Sequence, residues 1–241
     1  KTAFRPSPEH TTGIEEKYSR TYKRSHMKAV LFDLDGTLID SSEGITKSVR
    51  YALDYFGMEE PDEQVLRTFI GPPLIDSFEK IYGFPREKAR KAVEKYRERY
   101  NAIGIFECSL YPGVRETLRK LKEQEYRIGM ASSKPEISCR RILAHFDILK
   151  YFDDVVGATM DGKINSKEEV LAEVFRRWNE LSADEMCLIG DTMFDVNGAN
   201  AYKIPCIAVS FGFGDVEEMT AAGAVLCNHF SEIPELVHKL S

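Results

Sequence analysis

Two aspartates, Asp33 and Asp35, stand one residue apart just after the apolar run Ala29-Val30-Leu31-Phe32, and Gly36 and Thr37 follow them. Two carboxylates held this close by a turn repel one another unless a cation neutralises them or one keeps a proton. Gly36 lets the chain turn away tightly and leaves an amide able to face an anion. An EF-hand does not fit, because Thr37 stands where a further acidic or amide ligand is needed and no glutamate closes the loop. A second acidic pair, Asp191 and Asp195, follows the apolar run ending in Ile189-Gly190. With a turn between them, both can face the ground in front of Asp33.

Two further segments supply hydroxyls and cations. Ser132, Ser133 and Lys134 follow the apolar run Ile128–Ala131. Ser133 with Glu136 fits a capping box and Pro135 suits a first helical turn, and a hydroxyl with free amides at a helix start also suits an anion. Ser166 with Glu169 fits a second capping box, and Lys167 lies between them. A cation in the first turn opposes the helix dipole by roughly a few tenths of a kcal/mol. An ammonium aimed at a phosphate or at carboxylates would account for it.

These segments need strands and helices to position them. The apolar runs at 29–32, 128–131, 186–189 and 206–209 are continuous rather than alternating, as in strands buried on both faces. Amphipathic stretches between them, such as Val114, Leu118, Leu121 and Val170, Leu171, Val174, Trp178, keep helical spacing. The pattern predicts an α/β fold with a Rossmann-like parallel sheet. From Glu43 to Cys108 no strand is evident; helical stretches at 45–56, 74–82 and 86–100 are broken by Gly57, Pro61, Gly71-Pro72-Pro73 and Gly83. The expected organisation is a core at 27–42 and 109–241 with an inserted all-helical module at 43–108.

The net charge of -6 over 241 residues disfavours nucleic acid as a partner, which calls for a basic face. No apolar run approaches the ~20 residues of a membrane helix. The five cysteines are odd in number, widely spaced and form no C-x-x-C pair, which suits reduced thiols in a cytoplasmic protein. Residues 1–26 are polar and mixed in charge; the Ser25-His26-Met27 junction reads as a cloning remnant with Met27 as natural start, or as a natural flexible extension. Gly212 and Gly214 lack the third glycine of a dinucleotide fingerprint, where Glu217 stands, and read as a turn. None of the five histidines falls in these segments, which disfavours histidine-based catalysis.

Acid-x-acid, hydroxyl, lysine, then an acidic pair, each at a strand end or helix start, resembles the haloacid dehalogenase superfamily. Within it, the pattern is similar to the phosphatases that look like phosphoglycolate phosphatase. The likeness runs from Met27 onward and includes Tyr111-Pro112-Gly113-Val114, the insertion, which matches that family's cap domain, and Phe69-Ile70-Gly71-Pro72-Pro73-Leu74. It implies a Mg²⁺-dependent hydrolysis of small phosphate monoesters, phosphoglycolate-like or nucleoside 5′-monophosphates. Asp33 would be the nucleophile and Asp35 the general acid and then base. Gly36, Thr37, Ser132, Ser133 and Lys167 would bind phosphate. Asp33, Asp191 and a backbone carbonyl at Asp35 would hold the metal, with Asp195 behind them. Lys134, Arg67 and Lys47 are candidate substrate contacts, a solvated helix face being the other reading of the last two. A phosphomutase of the superfamily is the nearest alternative, though its hinge histidine is missing from Ser41–Thr46. A phosphorylation-controlled signalling domain without enzyme activity is the other. A small phosphorylated metabolite is the expected partner; the oligomeric state is not readable.

Overall fold

The computed structural model describes residues 26–241, so the reading of the N-terminal extension falls outside the described residues apart from His26. The described residues open with β1 (Ala29–Phe32), wholly buried, and a tight turn through Asp35 and Gly36 into the short β2 (Ile39–Asp40). Four helices follow: α1 (Ser42–Asp54), α2 (Glu63–Arg67), α3 (Leu74–Tyr82) and α4 (Arg86–Ala102). The short β3 (Ser109–Leu110) then pairs antiparallel with β2, Ile39 opposite Leu110 and Asp40 opposite Ser109. Both passages of the chain between sheet and helical insertion are thus tied side by side.

The remainder alternates: α5 (Val114–Glu123), β4 (Arg127–Pro135), α6 (Glu136–His145), β5 (Asp154–Ala158), α7 (Lys167–Arg177), β6 (Met186–Gly190), α8 (Met193–Tyr202), β7 (Cys206–Val209), α9 (Val216–Ala221), β8 (Val225–Cys227) and α10 (Ile233–Leu240). Six strands form one parallel sheet in the order β5-β4-β1-β6-β7-β8. This is the Rossmann-like α/β core with an all-helical insertion. Successive residues of each strand serve opposite layers. Val30 and Phe32 pack with α5, α6 and α10, whereas Ala29 and Leu31 pack with α7, α8 and α9. Burial on both faces is why the strands read as unbroken apolar runs.

The insertion has its own apolar filling, a group of rings from Phe69, Phe78, Tyr82 and Phe84 with centroids 4.9–6.4 Å apart. No helix among the described residues is long and apolar enough to cross a membrane. All five cysteines are free. One expected cap does not form: β4 runs on to Pro135, which takes the N-cap place itself, and no side chain caps α6. Ser133 is still in extended chain there, and Glu136 turns to Arg140 and Arg177 instead.

Candidate active site

Strand order reverses at β1, since the chain leaves it for β4 on one side and returns as β6 on the other. Ligands in open parallel sheets bind beyond the carboxyl ends of strands at such a reversal. Asp33 follows β1 directly and Asp191 follows β6 directly, so neighbouring strands deliver both to one place. The Asp33 amide donates to the Ile189 carbonyl at 2.9 Å, which fastens the turn to β6. A cleft of about 1250 Å³ opens here between sheet edge and insertion; Asp33, Asp35, Ser132, Ser133, Lys134 and Lys167 are among its walls.

Lys167 resolves the oddity of a cation in a first helical turn. The capping box of Ser166 and Glu169 forms, so the helix start is secured without help from Lys167. Its ammonium is buried, donates to the Ala131 carbonyl at 2.7 Å, and lies 3.0 Å from Asp33 Oδ1 and 2.7 Å from Asp195 Oδ1. Burial is the largest influence on it and works against its charge, but the two carboxylates outweigh that and hold its pKa above the ordinary lysine value. Asp195 is the third residue of a capping box with Thr192 in α8. Its Oδ2 accepts from the amides of Asp191 and Thr192 and from the Thr192 hydroxyl, at 3.0–3.2 Å.

Asp191 is fully buried. It accepts from the Thr37 hydroxyl at 3.3 Å and from the Phe213 amide at 2.8 Å. Gly36 and Gly212 press against it so closely that a Cβ on either would collide with its side chain, and Gly36 is also left-handed at φ 77°. Two expectations change here, and one turn gains a role. The Gly36 amide donates to the Ile39 carbonyl at 2.8 Å, so it closes the turn and is not free for an anion. Thr37 is buried, spends its hydroxyl on Asp191 and does not line the cleft. The Gly212–Gly214 turn is part of the site through the intervening Phe213 amide. The paired glycines after a strand end were the visible signal for it. Lys47 and Arg67 do not line the cleft: Lys47 pairs with Glu43 and Glu107, and Arg67 sits exposed at the end of α2.

Carboxylate oxygens of Asp33, Asp191 and Asp195 lie within 4.8 Å of one another, with Lys167 as the one ammonium touching the group among the described residues. The imbalance shows in their acidity. Burial pushes Asp33 up to about 6, reinforced by Asp195 and opposed by Lys167 and a Ser132 hydrogen bond. Burial, with Asp195 and Asp33, drives Asp191 well above the usual range. Three carboxylates against one ammonium leave an excess that a divalent cation would match, and an all-oxygen donor set suits a hard cation such as Mg²⁺. Asp33 and Asp191 offer carboxylate oxygens to such a cation. Both Asp195 oxygens are already engaged, one by Lys167 and the other by the α8 cap.

Residues 30–209 match the family described as haloacid dehalogenase-like hydrolase. The chain belongs to that family. This hydrolase is 40% identical over 192 residues to a 5′-nucleotidase of Pseudomonas aeruginosa, covering 80% of this chain and 86% of the relative. It is 35% identical over 207 residues to the tyrosine-protein kinase PtkA of Mycobacterium tuberculosis, covering 86% and 70%. Among solved structures, a predicted phosphatase from Clostridium acetobutylicum superposes with a TM-score of 0.83 at 41% identity, covering 88% of this chain and 99% of that one.

Proposed function

We propose that this hydrolase is a Mg²⁺-dependent phosphatase for small phosphate monoesters that works through a phosphorylated Asp33. The observation that carries the reading is the arrangement after β1. Asp33 lines the cleft against Lys167, and Asp35 lines the same cleft from two residues further along one turn. Asp33 attacks phosphorus as the leaving oxygen departs in line, giving an aspartyl-phosphate. Asp35 gives its proton to that oxygen, then takes one from the water that hydrolyses the acyl phosphate. Ser132 and Lys167 hold the equatorial oxygens, and Lys167 stays fixed on the Ala131 carbonyl throughout. Magnesium, when bound, supplies positive charge where a carboxylate meets a phosphate dianion. The helical insertion (residues 43–108) acts as a cap that excludes water and selects the leaving group. A relative named 5′-nucleotidase supports nucleoside 5′-monophosphates as substrates beside phosphoglycolate and sugar phosphates.

The test is phosphate release from a panel of those esters, with and without Mg²⁺, by wild type and Asp33→Asn. Magnesium-dependent turnover absent in Asp33→Asn is the expected result; equal turnover by both proteins overturns the nucleophile assignment. The relative named a tyrosine-protein kinase raises a second reading, transfer to a tyrosine hydroxyl instead of water. Incubation with γ-labelled ATP separates the two, since transfer leaves alkali-stable label on tyrosine and hydrolysis leaves only free phosphate.

A further inference from the structure

The reading above uses Asp35 as an acid and base but leaves unexplained what holds it. Lys134 does so from β4: its Nζ donates to both Asp35 oxygens, at 2.7 and 3.0 Å. Both side chains are mostly buried at the cleft wall, with 8% of Lys134 and 17% of Asp35 exposed. The ammonium also lies 4.9 Å from the ring centroid of Tyr100 in α4, within the range of a cation–π contact. Tyr100 stacks on Tyr96, ring centroids 5.2 Å apart at 13°, and both rings are buried. At its other end the Lys134 amide donates to the Ser132 hydroxyl at 3.3 Å. A core lysine is thus held between an acid of the core and a tyrosine of the insertion.

We infer that Lys134 is a positioning residue for Asp35, seated by Tyr100, and that the insertion takes part in leaving-group protonation through this contact. The inference rests on the role given to Asp35 above. As the P–O bond to the leaving group breaks, its electron pair stays on the leaving oxygen and the Asp35 proton moves to it. The Asp33–phosphorus bond forms meanwhile. The two contacts from Lys134 fix the direction of the Asp35 carboxyl, as a single contact would not. Placing the ammonium against a ring keeps it from swinging to the phosphate, which Lys167 already serves.

The experiment compares kcat/KM for two leaving groups: the fastest alkyl monoester of the panel, which needs a proton, and p-nitrophenyl phosphate, which does not. kcat/KM covers the steps through release of the first product, so hydrolysis of the aspartyl-phosphate does not enter it. Lys134→Met is expected to lower the alkyl value about 100-fold and the aryl value by less than about 3-fold, in line with the usual size of general acid catalysis. Tyr100→Leu should repeat the pattern at about 10-fold, and Tyr100→Phe, which keeps the ring, should restore most of the alkyl rate. An equal fall for both esters would mean that Lys134 binds the substrate phosphate, and no fall would make the pair idle; either overturns the inference. Asp35→Asn is the reference. If its own loss is independent of the leaving group, the role of Asp35 fails first. If that loss is selective and that of Lys134→Met is not, only the inference fails. Should Lys134→Met not fold, as thermal unfolding would report, the two Tyr100 variants carry the test.

Discussion

At the scale of single residues the site is governed by uncompensated charge. Asp33 titrates in the folded protein at about 6, above its ordinary carboxyl value, chiefly because it is buried. A raised carboxyl pKa means the folded state holds the proton longer than the unfolded one, so ionisation costs stability. That cost is absent below the unfolded value, grows between about 4 and about 6, and is complete above. Metal-free wild type should therefore lose stability to this group as pH rises through that window. Asp33→Asn, having no charge to bury, should melt higher than wild type at pH 7.5 in chelator, with the gap closing towards pH 4. Thermal unfolding across pH measures it; parallel curves would contradict the buried-charge argument. Lys167→Met works in the opposite direction. Removing the one ammonium beside Asp33 and Asp195 leaves buried carboxylates unpaired, at a cost of about 3 kcal/mol or more near neutral pH. Denaturant midpoints of the variant and wild type at pH 7.5 would show it.

At the scale of elements, the two serines that precede helices behave differently. Ser166 caps α7 and accepts from the Glu169 amide, so Ser166→Ala should cost about 1 kcal/mol in chemical unfolding. Ser133 caps nothing, because β4 continues past it, and Ser133→Ala should stay within about 0.5 kcal/mol of wild type. Equal costs would mean that α6 starts earlier than described. The local sequences are nearly alike, each with a serine three residues ahead of a glutamate. What separates them is pairing: β4 continues beside β5 with a register shift between Ser132 and Pro135, which keeps Ser133 extended. For a related reason β5 and β8 escape a reading of apolar runs. β5 lies at the sheet edge and is broken by Gly157, and β8 has three residues, so neither carries enough apolar sequence to stand out.

At the scale of the molecule, the metal and the fold are linked. A ligand that binds only the folded state stabilises it by about 2.7 kcal/mol at a hundred times its dissociation constant. Mg²⁺ should therefore raise the melting temperature of wild type progressively with concentration, at any pH where Asp33 and Asp191 are ionised. Asp191→Asn should melt higher than wild type in chelator and gain little from Mg²⁺. A full Mg²⁺ response in Asp191→Asn would remove that residue from the ligand set. The insertion joins the core at the β2–β3 pair, and Lys134 against Tyr100 is a contact between them at the site itself.

The convergence of Asp33, Asp35, Ser132, Lys167, Asp191 and Asp195 was legible because they fall in four segments, each beside an apolar run or at a helix start, and strand ends in a parallel sheet converge by topology alone. Continuous burial likewise made four of the six strands visible, β1, β4, β6 and β7, and the missing strand signal between Glu43 and Cys108 made the insertion visible. Which way a side chain turned was another matter. Thr37 donating to Asp191, the Gly36 amide closing its own turn, Phe213 reaching Asp191 and Lys134 gripping Asp35 all pair residues distant in the chain or choose between equally good local partners. Local sequence constrains backbone conformation and burial, whereas a buried polar atom takes whichever partner the packed neighbours bring within reach. Only the tertiary structure decides that.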